Sequence, residues 1–227
     1  MVFEDLKSIS RGFVHSRRAH CAGLLTATLG VVFRDSAAQA AAPACAEGHD
    51  DGGSEVTQFL AACGPNRELG SGAAVFGRFE GDWNIDCVYF DEQGKAQPTA
   101  GEWHFGWVLA GRAVQDVIYF YPAGERPKDS IQLRGGTTVR VYDPKSGQWT
   151  ITWNNAAKGW AIKLRGGAVD DRIVLTGSDI DGSALRWTFY DISADRFLWR
   201  GEISKDGGAT WRVEQTMTVT RADHVPA

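Results

Sequence analysis

The chain has no run of lysine and arginine. Its 24 basic and 28 acidic residues leave a formal net charge of −4. Phosphate backbones are held by clustered cations, so a nucleic-acid partner is not expected. Cysteine is scarce: Cys21, Cys45, Cys63 and Cys87, with no C-x-x-C pair and no Cys/His cluster. That pattern excludes the usual structural zinc site, and no metal is expected. No apolar run reaches the roughly 20 residues that a stable membrane span requires. A P-loop, a dinucleotide-binding glycine motif and a Ser-His-Asp order are all missing, so no cofactor is expected either. From residue 81 onward helical periodicity is missing as well.

Glycine and tryptophan are plentiful instead, with 27 and 9 residues respectively. All nine tryptophans lie between Trp83 and Trp211, which places the folded body there. A length of 227 residues allows one or two domains, and 43% hydrophobic content supplies a full core.

The first 53 residues stand apart. Ser16-Arg17-Arg18 precedes an apolar run from Cys21 to Phe33, and the small-x-small pattern Ala38-Gln39-Ala40 follows. This is the order of a twin-arginine export signal, which gives a periplasmic or secreted protein. Glu4, Asp5 and Arg34-Asp35 fit the alternative, an N-terminal extension on a cytoplasmic protein. Cleavage would leave Cys45, Cys63 and Cys87, enough for one bridge such as Cys45–Cys63; free, mostly buried thiols are the expected state. Residues 54–80 read as a short helical lead-in. Ser54 can cap a helix ending at Cys63, Gly64-Pro65-Asn66 stops it, and Ala73–Phe79 forms a second short turn. Residues 81–222 form the body and 223–227 a tail.

Within the body, strand-like runs alternate with turns rich in Gly, Asp and Pro. The spacing predicts strands near 82–91, 101–109, 112–121, 136–143, 148–155, 159–165, 171–177, 184–191, 197–204 and 210–221, with one longer loop at 122–135. The stretch Gly101–Tyr121 is the clearest. Trp103, Phe105, Trp107 and Leu109 share one face, and a two-residue turn at Ala110-Gly111 sets Trp107 opposite Val114, Phe105 opposite Asp116 and Trp103 opposite Ile118. Sequential hairpins of even spacing predict an up-and-down antiparallel barrel or a sandwich.

On nearly every other run the odd positions are apolar. They include Trp83, Ile85, Cys87 and Tyr89, then Val139 and Val141, Ile151 and Trp153; on the next run the apolar positions are the even Trp160 and Ile162. Trp187, Phe189, Phe197, Trp199, Trp211, Val213 and Met217 continue the pattern. So much tryptophan is expected to face inward. Arg140, Arg186, Arg200, Glu202 and Glu214 fall on the solvated face, with cross-strand pairs such as Arg200 with Glu214. Ser204-Lys-Asp206-Gly-Gly208-Ala-Thr210-Trp211 matches the S-x-D-x-G-x-T-W Asp-box, a hairpin turn folded by its aspartate.

Gly81-Asp82-Trp83 at the head of the first strand resembles the G-x-W of lipocalins and related calycin barrels. In those, the Trp closes the barrel floor beneath an Arg from the far end of the chain, a role that the resemblance gives to Arg221. Leu109-Ala-Gly-Arg112, Val141-Tyr-Asp143 and the Trp149–Trp153 strand are similar to bacterial lipocalin-like domains of unknown function. The resemblance spans about residues 70–222. It implies an all-β, antiparallel, up-and-down calycin-like barrel of about ten strands with a short N-terminal helical segment. Ten strands suit the fatty-acid-binding or nitrobindin-like branch. A nitrobindin-like haem pocket needs an inward His on a late strand, and none is present.

A barrel of this size encloses a cavity or is filled by its own side chains. The candidate ligand-binding residues are Trp103, Phe105, Trp107, Trp153, Trp187 and Trp199, with Asp116, Asn155 and Gln215 as inward polar groups. No catalytic residue is assigned. Asp116 is the one candidate, because a carboxylate among aromatics resists ionisation; the alternative is that it sits at the rim or pairs with Arg112. His104 faces the other way by parity and is expected at the surface. Three readings remain: a binding module for a small hydrophobic or aromatic molecule; a barrel enzyme of isomerase, cyclase or hydratase type using Asp116 with Asn155 or Gln215; and a filled structural domain that binds another protein.

Overall fold

Ten strands follow one another around a closed antiparallel barrel in the computed structural model, which describes residues 60–126 and 134–222. The export signal, most of the helix ending at Cys63, Cys45 and the tail lie outside the described residues. The strands are β1 (Gly81–Phe90), β2 (Ala96–Val108), β3 (Ala113–Tyr121), β4 (Arg134–Asp143), β5 (Gln148–Asn155), β6 (Trp160–Val169), β7 (Arg172–Ser178), β8 (Ala184–Tyr190), β9 (Arg196–Ser204) and β10 (Arg212–Arg221). Each pairs with its neighbour in sequence, and β10 closes on β1 from Trp83–Arg221 to Tyr89–Gln215. A 3-10 segment (Arg67–Gly72) and a short helix, α1 (Ala73–Gly77), precede the barrel. No described helix is long and apolar enough to cross a membrane.

The β2–β3 hairpin has the register that its tight turn requires, with Trp107, Phe105 and Trp103 opposite Val114, Asp116 and Ile118. Leu109, Ala110 and Gly111 all take positive φ to make that turn. Strand β2 begins earlier than its aromatic pattern, because Ala96–Thr99 pair with Cys87–Phe90.

The lead-in closes one end of the barrel. Phe76 and Phe79 insert between the sheet walls. Phe79 lies 4.6 Å from Phe197 and 5.4 Å from Phe189 between ring centres, and Phe76 lies 5.1 Å from Trp149. Trp83 donates its indole N–H to the Phe79 carbonyl at 2.6 Å. The Arg221 guanidinium stands 4.1 Å from the Trp83 ring centre and donates to the carbonyls of Arg78, Glu80 and Ala194. The floor is therefore the arrangement that the G-x-W resemblance implies. Arg112 reaches Glu68 at 2.6 Å, tying the lead-in to the β2–β3 turn.

Three expectations about which way residues face are corrected. Val139 and Val141 point outward. Partners across an antiparallel pair share a face, and β3 sets Val114 opposite Arg140 and Asp116 opposite Thr138, so Thr138 and Arg140 point inward. Val213 also leaves the lumen: a bulge between Val213 and Gln215 places it opposite the outward Glu202. Trp211 sits outside too, donating to the Gly208 carbonyl at 3.0 Å beneath the Arg186 guanidinium. Around it the Asp206 carboxylate accepts hydrogen bonds from the Thr210 backbone N–H at 2.9 Å and the Ser204 hydroxyl at 2.7 Å. The Thr210 contacts, then Ser204, hold its pKa well below the usual carboxylate range. Among the described residues the expectation of free cysteines holds for Cys87, whereas Cys63 is disulfide-bonded.

Replacing Arg221 removes one stacked cation and three carbonyl partners together. Arg221→Ala is expected to lower unfolding free energy by about 2–4 kcal/mol, read by urea denaturation.

Candidate functional site: the lumen and its open end

The lumen has two halves of different character. Around α1 it is solid: Trp83, Trp149, Phe76, Phe79, Phe189 and Phe197 are all fully buried. Phe105, 5.6 Å from Phe79, and Trp107, packed beneath Gly77, belong to this floor. Both were expected to line a ligand cavity; the helical plug occupies the space in front of them. Trp103 lies one layer higher, its ring 5.9 Å from both Phe189 and Phe197.

Toward the other end, which carries the β1–β2, β3–β4, β5–β6, β7–β8 and β9–β10 connections, the inward aromatics are partly exposed. They are Tyr89, Phe120, Trp153, Trp160 and Trp187. Trp199 lies just below, 5.7 Å from Trp187. Two indoles lie back along the wall. A Cβ on Gly201 would come within 2.6 Å of the Trp199 ring, and one on Gly136 within 2.6 Å of the Trp153 ring. Glycine beneath each ring lets it lie flat instead of projecting across the barrel. At the rim, where β6 and β7 stop pairing, an open hollow of about 560 Å³ is lined by Ile162, Leu164, Gly177 and Ile180 together with the charged Lys163, Arg165 and Asp179.

The polar groups that face inward around Tyr89 are uncharged; Arg212 stands at the rim, paired with Glu214. Gln215 donates its amide N–H to the Cys87 sulfur at 3.1 Å. Burial pushes the Cys87 thiol up, against hydrogen bonds from Gln215, Thr99 and Tyr89. Burial, and then the neighbouring Cys87, raises the Tyr89 phenol far above its ordinary value. Both groups stay protonated at neutral pH. Asn155 accepts from the Lys158 backbone N–H at 3.1 Å and caps the β5–β6 turn.

Asp116 is neither at the rim nor beside Arg112. It is fully buried and bonded to the Arg140 guanidinium, with a further contact from the Thr138 N–H at 3.3 Å. Arg140 also lies 4.9 Å from the Phe76 ring centre and 5.3 Å from that of Phe105. Asp116, Asn155 and Gln215 thus serve three separate tasks and do not converge. The inward arginine was the residue missed from sequence. The clue was Asp116 itself, a carboxylate that needs a cation once buried.

His104 lies on the outer wall, as its parity requires. Its Nδ1 is 2.6 Å from Asp82 and its Nε2 3.6 Å from Glu102. Glu102 binds the Arg126 guanidinium and accepts from the Tyr121 hydroxyl at 3.1 Å. Burial pushes the pKa of Glu102 up, but Arg126, Tyr121 and His104 outweigh it and hold the carboxyl below its usual range. Among the described residues no group of three His, Cys, Asp or Glu is placed to hold a metal ion.

No family model and no curated protein matches the chain. Among solved structures it is similar to the S-type phycobiliprotein lyase CpeS of Guillardia theta. Identity is 12%, over 70% of this chain and 98% of that one, at a TM-score of 0.46. It is also similar to Rv2717c of M. tuberculosis, with 12% identity over 68% of this chain and 99% of that one, at a TM-score of 0.49. Neither likeness assigns an activity or a ligand to this protein.

Two outcomes follow from the ion pairs. Asp116→Asn leaves Arg140 buried without a counter-ion and is expected to cost about 3–5 kcal/mol in chemical denaturation. The double change Asp116→Leu with Arg140→Met should recover most of that loss. Glu102 has a folded value below its unfolded one. Its contribution is therefore present above about pH 4.3 and lost as the pH falls through the folded value. Glu102→Gln should lower stability by about 1 kcal/mol at pH 7 and flatten the decline below pH 4, measured by urea unfolding across pH.

Proposed function

We propose that the protein binds a small hydrophobic or aromatic molecule in the open half of its barrel. The observation that carries this reading is the contrast between the two halves. Six aromatic rings seal the floor completely, whereas five inward rings at the far end keep contact with solvent. A barrel that only had to be stable would fill both ends, because each aromatic ring left partly wet forgoes about 1 kcal/mol or more of burial. The wall-hugging indoles over Gly136 and Gly201 leave room that projecting rings would take. Pockets for apolar molecules have this make-up, mostly aromatic with a few uncharged polar groups. The ligand-lining set on this reading is Tyr89, Phe120, Trp153, Trp160, Trp187 and Trp199, with Gln215 at its edge.

Native mass spectrometry of protein purified from its source should show an added small-molecule mass, and hydrophobic ligands should quench tryptophan fluorescence. A clean unliganded mass with no quenching by a hydrophobic panel supports the filled-barrel reading instead. Gly201→Ala pushes the Trp199 ring toward the lumen. It is expected to weaken binding of a quenching ligand about tenfold while costing less than about 3 kcal/mol of stability.

A further inference from the structure

Three indoles of the lumen carry a buried hydrogen-bond donor that has no acceptor; that of Trp149 is sealed in the floor against Phe76, and the other two lie next to the open half. The Nε1 atoms of Trp103 and Trp199 are both buried away from solvent and unpartnered. The residues themselves are only 4% and 5% exposed. Both point inward by register, Trp103 opposite Ile118 and Trp199 opposite Met217 and Phe189. They lie in one layer just above the floor, since Phe189 is the cross-strand partner of Trp199 and its ring is 5.9 Å from that of Trp103. Trp83 shows what a satisfied buried indole looks like in this barrel, with a bond to the Phe79 carbonyl. Buried donors are almost always satisfied, because leaving one unmade forfeits the whole of its lost hydration.

The acceptor that answers them is uncharged. The charge of the inward arginine, Arg140, is matched by Asp116, although its Nε–H has no acceptor of its own, and Arg212 at the rim is bonded to Glu214 and to the Phe90 and Asp91 carbonyls. Cys87 and Gln215 add no charge. A carboxylate carried into this layer would lose its hydration without gaining a cation, which is among the costliest burials known in proteins. A ketone, amide, ester or quinone oxygen loses far less and accepts two hydrogen bonds.

Building on the ligand-binding reading above, we propose that the ligand is an apolar molecule carrying a neutral carbonyl oxygen, which Trp103 and Trp199 recognise through their indole N–H groups. Selectivity then follows from the unpaired donors. A site built to bond an oxygen discriminates against an analogue that lacks it, since its own polar groups stay unsatisfied when that analogue binds.

Three near-isosteric probes test this: 2-acetylnaphthalene, 2-ethylnaphthalene and 2-naphthoate, titrated into the full chain by tryptophan quenching. Hydrophobic transfer alone favours the ethyl compound. The expected result is the reverse, with the acetyl compound bound at least tenfold more tightly than the ethyl and the naphthoate bound more weakly than the acetyl. In Trp199→Phe the acetyl advantage over the ethyl compound should fall to about threefold or less. Nitrogen-15 spectra of the unaltered protein give a readout that needs no variant. The Trp103 and Trp199 indole N–H signals should move downfield with the acetyl compound and not with the ethyl one. Equal or tighter binding of the ethyl compound, tightest binding of the naphthoate, or indole signals that stay in place with bound acetyl compound would each overturn the carbonyl assignment while leaving ligand binding intact. Failure of all three probes and of a wider hydrophobic panel to bind would overturn the ligand-binding reading, and this inference with it.

Discussion

The closure of the sheet on its aromatic plug is the constraint on which the rest of the structure depends. A ten-stranded sheet closed into a barrel encloses more space than its wall alone must fill, and at one end that space is taken up. Here the filling is Phe76 and Phe79 from the lead-in, met by Trp83 at the head of β1 and held from outside by Arg221 at the end of β10. The first and last strands pair beside that contact, so one arrangement fixes closure, register and the position of the lead-in together. Trp83 is suited to the task because its ring gives the arginine a face to stack on while its N–H satisfies the Phe79 carbonyl.

Above the plug the barrel contains an ion pair where a hydrophobic layer would serve for stability alone. Asp116 and Arg140 face each other across β3 and β4 with essentially no solvent contact. Such a pair adds little net stability over well-packed apolar residues, yet either member alone is strongly unfavourable. Its effect falls on register. Slipping β4 by one residue would carry Arg140 to the outer wall, bring Val139 and Val141 inside and strand the Asp116 carboxylate. The pair thus holds β4 in the orientation that its valines by themselves would have opposed.

Over this pair the lumen changes from filled to lined. The same residue type performs both tasks. Trp83 and Trp149 are packed on every side, whereas Trp153, Trp160 and Trp187 retain solvent contact. The difference lies in what stands opposite. Near α1 an inserted helix meets each ring. At the far end no described helix does so, and glycine beneath Trp153 and Trp199 draws those rings toward the wall. The polar groups left there, a thiol, a phenol and an amide, are uncharged and bonded to one another. That chemistry suits recognition of an apolar partner better than proton transfer.

All ten strands, the β2–β3 register and the Trp83–Arg221 contact were legible in the amino-acid order. Those features are local. Alternation along a strand, a tight turn at Ala110-Gly111 and a short motif at each end of the sheet leave direct marks on neighbouring residues. The faces of β4 and of the start of β10 were not legible. Val139 and Val141 alternate as a buried face does, and only pairing with β3 turns them outward; the bulge that displaces Val213 likewise exists only in its pairing with β9. The division between floor and open half was out of reach for the same reason. Trp103, Phe105 and Trp107 look alike along β2, and it is the helix packed across the barrel, remote from them in the chain, that buries two in the floor and leaves the third beneath the open half.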